Sequence, residues 1–121
     1  MVRIEWRMEV RLKITEIPVE VYEGNQQRWP TVNGRAVDLA TLGIKIDMYS
    51  RVRLGKDSIV FINFSLPNGC SFFRKKARVA WQSFKPKSAK MGLNFIDQPE
   101  KDRKNIRAFL SNKEATPRIK S

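Results

Sequence analysis

In Val60-Phe61-Ile62-Asn63-Phe64-Ser65-Leu66 every second residue, from Val60 to Leu66, is apolar, and Pro67-Asn68-Gly69 follows directly. Successive strand side chains point to opposite faces, so Val60, Ile62, Phe64 and Leu66 share one buried face. Pro-Asn-Gly supplies turn chemistry. The segment therefore reads as one strand and the tight turn of a hairpin, with Phe72, Ala77, Val79 and Trp81 on the returning strand.

The same pattern extends in both directions. Upstream, Glu16 to Tyr22 alternates and ends at Gly24-Asn25, and a second extended region runs from Arg35 to Met48 with a bend at Leu42-Gly43. Downstream, Leu93 and Phe95 pattern a last strand after the polar stretch from Lys85 to Lys90. Five or six short strands with tight connections predict a small antiparallel barrel. After residue 96 the period changes. Asp97-Gln98-Pro99-Glu100 predicts a helix start with Asp97 as cap, and Ile106, Phe109 and Leu110 supply the apolar stripe of a helix packed on the barrel. The expected organisation is one domain over residues 1–112. It divides into an arginine-bearing segment (1–15), the barrel (16–96) and the helix (97–112), and a flexible tail (113–121) follows.

Composition narrows the function classes. The 121 residues suffice for one domain with one core. Histidine, the commonest general base and metal ligand near neutral pH, does not occur. One cysteine, Cys70, can build neither an internal disulfide nor a multi-cysteine metal site, which favours a reduced, cytoplasmic setting. No nucleophile with an evident base, Walker-type glycine loop or metal-ligand cluster stands out, so the chain reads as a non-enzyme without cofactor or metal. No apolar run approaches the roughly 20 residues of a membrane span. The formal net charge of +12, from 24 Lys and Arg against 12 Asp and Glu, favours an anionic partner without naming it.

Three groups of residues bear on that partner. Arg7 and Arg11, four residues apart, can each engage a phosphate or the O6 and N7 acceptors of guanine through a planar fork of donors. The spacing alone says little, because Arg3 with Arg7, Arg74 with Arg78 and Arg103 with Arg107 share it. Asp38, in Asp38-Leu39-Ala40-Thr41-Leu42-Gly43, can accept from the N1 and N2 donors of a guanine or hold an arginine, while an ordinary strand-ending turn is the plainer explanation. Gly43 permits a positive φ or a close backbone approach. Trp81 is either buried beside Ala77 and Val79 or exposed for base stacking.

The order of these elements resembles the PilZ domain, a bacterial receptor module for cyclic di-GMP. Arg7-Met8-Glu9-Val10-Arg11 matches the family's RxxxR motif, and Asp38 to Gly43 matches its D/N-x-S-x-x-G motif except at the serine, where Ala40 stands. Leu66 to Gly69, Ala77 to Trp81 and Met91 to Asp97 extend the likeness over roughly residues 7 to 112. It implies a mainly β fold, a six-stranded antiparallel barrel with a C-terminal α-helix. It also implies a ligand site formed by Arg7, Arg11, Asp38, the Ala40 position and Gly43, with Trp81 against a guanine.

A hydroxyl missing at Ala40 costs about 0.5–1.5 kcal/mol of binding, or about 1.5–3 with a charged partner. On an extended strand Thr41 faces the other way and does not replace it. The leading expectation is a stand-alone cyclic di-GMP receptor that signals to an effector protein in motility, pilus or exopolysaccharide control. A ligand-independent PilZ-fold interaction module is the alternative. A small basic nucleic-acid-binding barrel, suggested by the charge and by Arg74-Lys75-Lys76, is the third.

Overall fold

A computed structural model describes the backbone of residues 17–120 and the side chains of residues 17–111. Arg7, Arg11 and the expected segment 1–15 therefore lie outside the described residues. Six strands form: β1 (Pro18–Tyr22), β2 (Val32–Ala40), β3 (Gly43–Met48), β4 (Ile59–Ser65), β5 (Ser71–Lys85) and β6 (Ser88–Phe95). All their pairings are antiparallel, and the order β1-β2-β3-β6-β5-β4 closes on itself through β1 and β4. Closure leaves no unpaired sheet edge.

The alternation read from the sequence decides which side chains fill the barrel. Val60, Ile62 and Phe64 of β4 are buried, as are Ile44, Ile46 and Met48 of β3 and Ala89, Met91, Leu93 and Phe95 of β6. The hairpin after β4 turns at Gly69, whose φ of 100° suits a residue without a Cβ. Inside, Phe64 stacks on Phe72 at 4.7 Å and on Phe95 at 6.3 Å between ring centroids.

The expected polar loop from Lys85 to Lys90 is instead a short turn. β5 runs to Lys85 and β6 begins at Ser88, because Ser88 and Lys90 are the outward positions of a strand whose inward positions are Ala89 and Met91.

The helix, α1 (Glu100–Lys120), begins after the predicted cap. Asp97 has a φ of 51°, so it does not adopt cap geometry. The first helical hydrogen bond runs from Arg103 N–H to the Pro99 carbonyl, and Asp97 meets Lys76 at 3.3 Å instead. The predicted stripe is correct, since Ile106, Phe109 and Leu110 are buried in the common core. A second tie fastens the helix: Lys75, only 7% exposed, reaches Asp102 at 2.8 Å. Its ammonium also lies 4.9 Å from the Phe95 ring centroid, a cation–π arrangement.

Candidate ligand-binding face

Strand register brings four of the expected site residues, Asp38, Ala40, Gly43 and Trp81, onto one outer surface. Asp38 of β2 pairs with Lys45 of β3, Lys45 with Gly92 of β6, and Gly92 with Trp81 of β5. Cross-strand partners share a sheet face, so these four form a row across four strands. It spans three inter-strand spacings, about 14 Å. A parallel row joins Ala40, Gly43, Asn94 and Arg78. The motif turn and the tryptophan, some 40 residues apart in sequence, are thus neighbours on one face.

Two bulges make this possible. β2 shifts register between Ala36 and Asp38, and β5 shifts between Val79 and Trp81. An extra residue reverses the sense of the alternation beyond it, and bulges commonly re-aim side chains at functional sites. Trp81 consequently leaves the inward face of Ala77 and Val79 and is 42% exposed. Burial beside those two residues, one of the two sequence readings, is excluded.

Each member of the first row has a local role. Asp38 is 7% exposed and meets the Lys45 ammonium at 3.5 Å. The Trp81 indole lies on Gly92: a Cβ there would collide with Nε1, Cε2 and Cζ2, with 2.9 Å to the last. Gly92 thus gives one indole face a seat, and the exposure leaves ring surface for a planar ligand. Gly43 opens β3 opposite Ala40, and the positive-φ glycine among the described residues is Gly69, so the left-handed freedom allowed at Gly43 is not used.

Ala40 is 1% exposed and shares the outward face with Asp38, as extended geometry predicts. The turn after it is held from outside. Phe95 N–H donates to the Leu42 carbonyl at 2.9 Å, and Gln98 Nε2 donates to the Thr41 carbonyl at 2.7 Å. Any substituent at position 40 therefore projects from a clamped backbone.

Beyond the first row lies a row of ion pairs. Asp47 accepts from Arg35 Nη2 at 3.2 Å and from Lys90 Nζ at 2.6 Å. Burial alone would push the Asp47 carboxyl up, but the hydrogen bonds and charges of Lys90 and Arg35 outweigh it and hold the group below the usual carboxylate range.

Lys45, Gly92, Asn94 and Arg78 are positions on this face that sequence reasoning did not assign to the site. Their signal was register, which alternation alone does not fix. The Arg74-Lys75-Lys76 run proves a poor candidate for a free basic patch. Arg74 stacks on Tyr22 at 3.5 Å and donates to the Gln27 carbonyl, while Lys75 and Lys76 pair with Asp102 and Asp97.

Comparison with known proteins agrees with this architecture. The PilZ domain profile matches residues 5–112. The fold is similar to the Bacillus subtilis inhibitor of motility MotI/DgrA, with a TM-score of 0.72 and 14% identity over 91% of this chain and 51% of that one. It is also similar to Escherichia coli YcgR in complex with c-di-GMP, with a TM-score of 0.74 and 14% identity over 94% of this chain and 48% of that one. The isolated PilZ domain of YcgR with c-di-GMP gives a TM-score of 0.72 at 14% identity, covering 94% of this chain and 95% of that domain. The chain thus spans about half the length of MotI/DgrA and of YcgR. No curated protein sequence matches it significantly. With the profile covering the whole barrel and the first part of the helix, the chain belongs to the PilZ domain family.

Proposed function

We propose that this chain is a cyclic di-GMP receptor that passes the binding event to an effector protein. The carrying observation is the row from Asp38 to Trp81, which sets a carboxylate, a cation and an exposed indole along one face. Those groups suit guanine: a carboxylate accepts from its N1 and N2 donors, and an aromatic ring stacks on its plane. Arg7 and Arg11 are proposed to add the guanidinium contacts to phosphate and to the guanine edge. The PilZ domain is a receptor module, which agrees with a binding rather than catalytic role. No helix among the described residues is long and apolar enough to cross a membrane.

Two of the similar structures contain c-di-GMP and one is an inhibitor of motility, which supports this ligand and a place in motility control. Titration calorimetry with cyclic di-GMP tests the reading. Saturable heat that disappears in Arg11→Ala is expected. Absence of binding at about 100 µM protein, equivalent to about −5.5 kcal/mol, overturns it.

One observation favours a second reading. Asp38 already has Lys45 as an ion-pair partner, and Ala40 offers no hydroxyl, so the row can persist as architecture in an interaction module that binds no nucleotide. In that case Arg11→Ala leaves effector binding intact.

A further inference from the structure

The outer face that carries the Asp38 row continues away from it into a strongly basic end of the barrel. Past the Arg35–Asp47–Lys90 ion pairs, Tyr49 projects from the end of β3 at 69% exposure. Beside it, Lys87 occupies the β5–β6 turn, and the two line a shallow cleft of about 450 Å³ with Ser88 and Lys90. Lys85, at the end of β5, is exposed, as are Arg51 and Arg53 in the segment after β3.

These cations are placed rather than loose. Arg51 Nη2 donates to the Lys85 carbonyl at 2.6 Å, and the Arg51 and Arg53 guanidinium carbons stand 5.7 and 4.6 Å from the Phe84 ring centroid. The segment that bears them is pinned to β5, because Gln82 accepts from Leu54 N–H at 2.8 Å and donates to the Val52 carbonyl at 2.9 Å. A guanidinium has five N–H donors, so Arg51 keeps others for a ligand.

We infer that this end of the face, from Tyr49 across Lys87 and Lys85 to Arg51, binds single-stranded nucleic acid without strong sequence preference. Such binding combines cations along the phosphates with aromatic rings that stack on bases, and here the exposed Lys85, Lys87 and Arg51 stand beside one exposed ring, Tyr49. An acidic protein is the weaker fit. Protein interfaces have cores depleted of charge, whereas the ground next to Tyr49 is an Asp47 carboxylate held between two cations. The surface is distinct from the Asp38–Trp81 row and does not depend on cyclic di-GMP binding.

The test is fluorescence anisotropy of a labelled oligothymidylate of about 12 nucleotides titrated with the full chain over a range of salt. Tyr49→Ala should weaken binding roughly five- to hundredfold. The double reversal Lys85→Glu/Lys87→Glu should also weaken it and flatten the salt dependence by about 0.7 per lost phosphate contact. Lys101→Glu/Lys104→Glu, an equal charge change on exposed helix positions, should have a much smaller effect.

Equal losses from the two double reversals overturn the proposal, because they show only attraction to net charge. Wild-type affinity in Tyr49→Ala also overturns it, as does equally tight binding of polyglutamate or of phosphatidylserine vesicles. Circular dichroism melting of each variant separates loss of the surface from loss of the fold.

Discussion

Trp81 lies against the backbone of Gly92 on the neighbouring strand, leaving no room for a Cβ at position 92. The glycine is therefore the seat of the indole, and Gly92→Ala should lift the ring while leaving the barrel intact. In a background with Trp6 and Trp29 replaced by Phe, Trp81 fluorescence should shift, and cyclic di-GMP affinity should drop by about 1–3 kcal/mol, the worth of one stacked base. An unchanged affinity with a shifted spectrum removes Trp81 from the proposed site.

Ala40→Ser restores the hydroxyl of the family motif on a clamped, outward-facing backbone. Ligand affinity should rise by about 0.5–1.5 kcal/mol, up to roughly tenfold, as measured by calorimetry. The free protein should pay for it. At 1% exposure, a hydroxyl lacking a partner costs up to about 1–3 kcal/mol, so the apo melting temperature should fall while the ligand-induced rise grows. Absence of ligand heat in the serine variant as well as in the wild type supports the ligand-independent module.

Residues 60–69 show how much was legible. Apolar residues at every second position, ending in Pro-Asn-Gly, pointed to a strand and its turn, and repetition of the pattern pointed to a barrel. The helix stripe Ile106, Phe109 and Leu110 was equally readable, because a 3.6-residue period leaves few alternatives. The orientation of Trp81 was not. One extra residue between Val79 and Trp81 reverses its side, and the sequence Val79-Ala80-Trp81 contains nothing that announces a bulge. Asp97 failed as a cap because it takes a left-handed backbone, which Asp tolerates better than most residues, at the junction between β6 and the helix. The ligand motif was visible in outline, yet Lys45 and Gly92, which join Asp38 to Trp81, depend on register.

The part-buried pair Lys75–Asp102 ties the helix to β5, and its two halves should not be equivalent. Asp102→Ala leaves a lysine of 5% side-chain exposure without its carboxylate, and should cost about 2–4 kcal/mol in urea unfolding. Lys75→Met keeps the length and apolar contact with Phe72 and Phe95 while removing the charge, so the loss should be smaller, about 1 kcal/mol. Equal losses would mean that the pair acts through the helix terminus rather than through desolvation of Lys75.

Asp47 gives the fold a defined acid response. Its carboxyl is held below the usual range because the hydrogen bonds and charges of Lys90 and Arg35 overcome the opposing effect of burial. A depressed carboxylate stabilises the folded state above its unfolded pKa, near 3.9, and that contribution disappears as pH falls through the lower folded value. Asp47→Asn should therefore be less stable than wild type at pH 7, with the gap closing below about pH 4. Urea midpoints for both proteins across that range make the check, and a gap that stays constant down to about pH 2.5 would assign the loss to packing instead of charge.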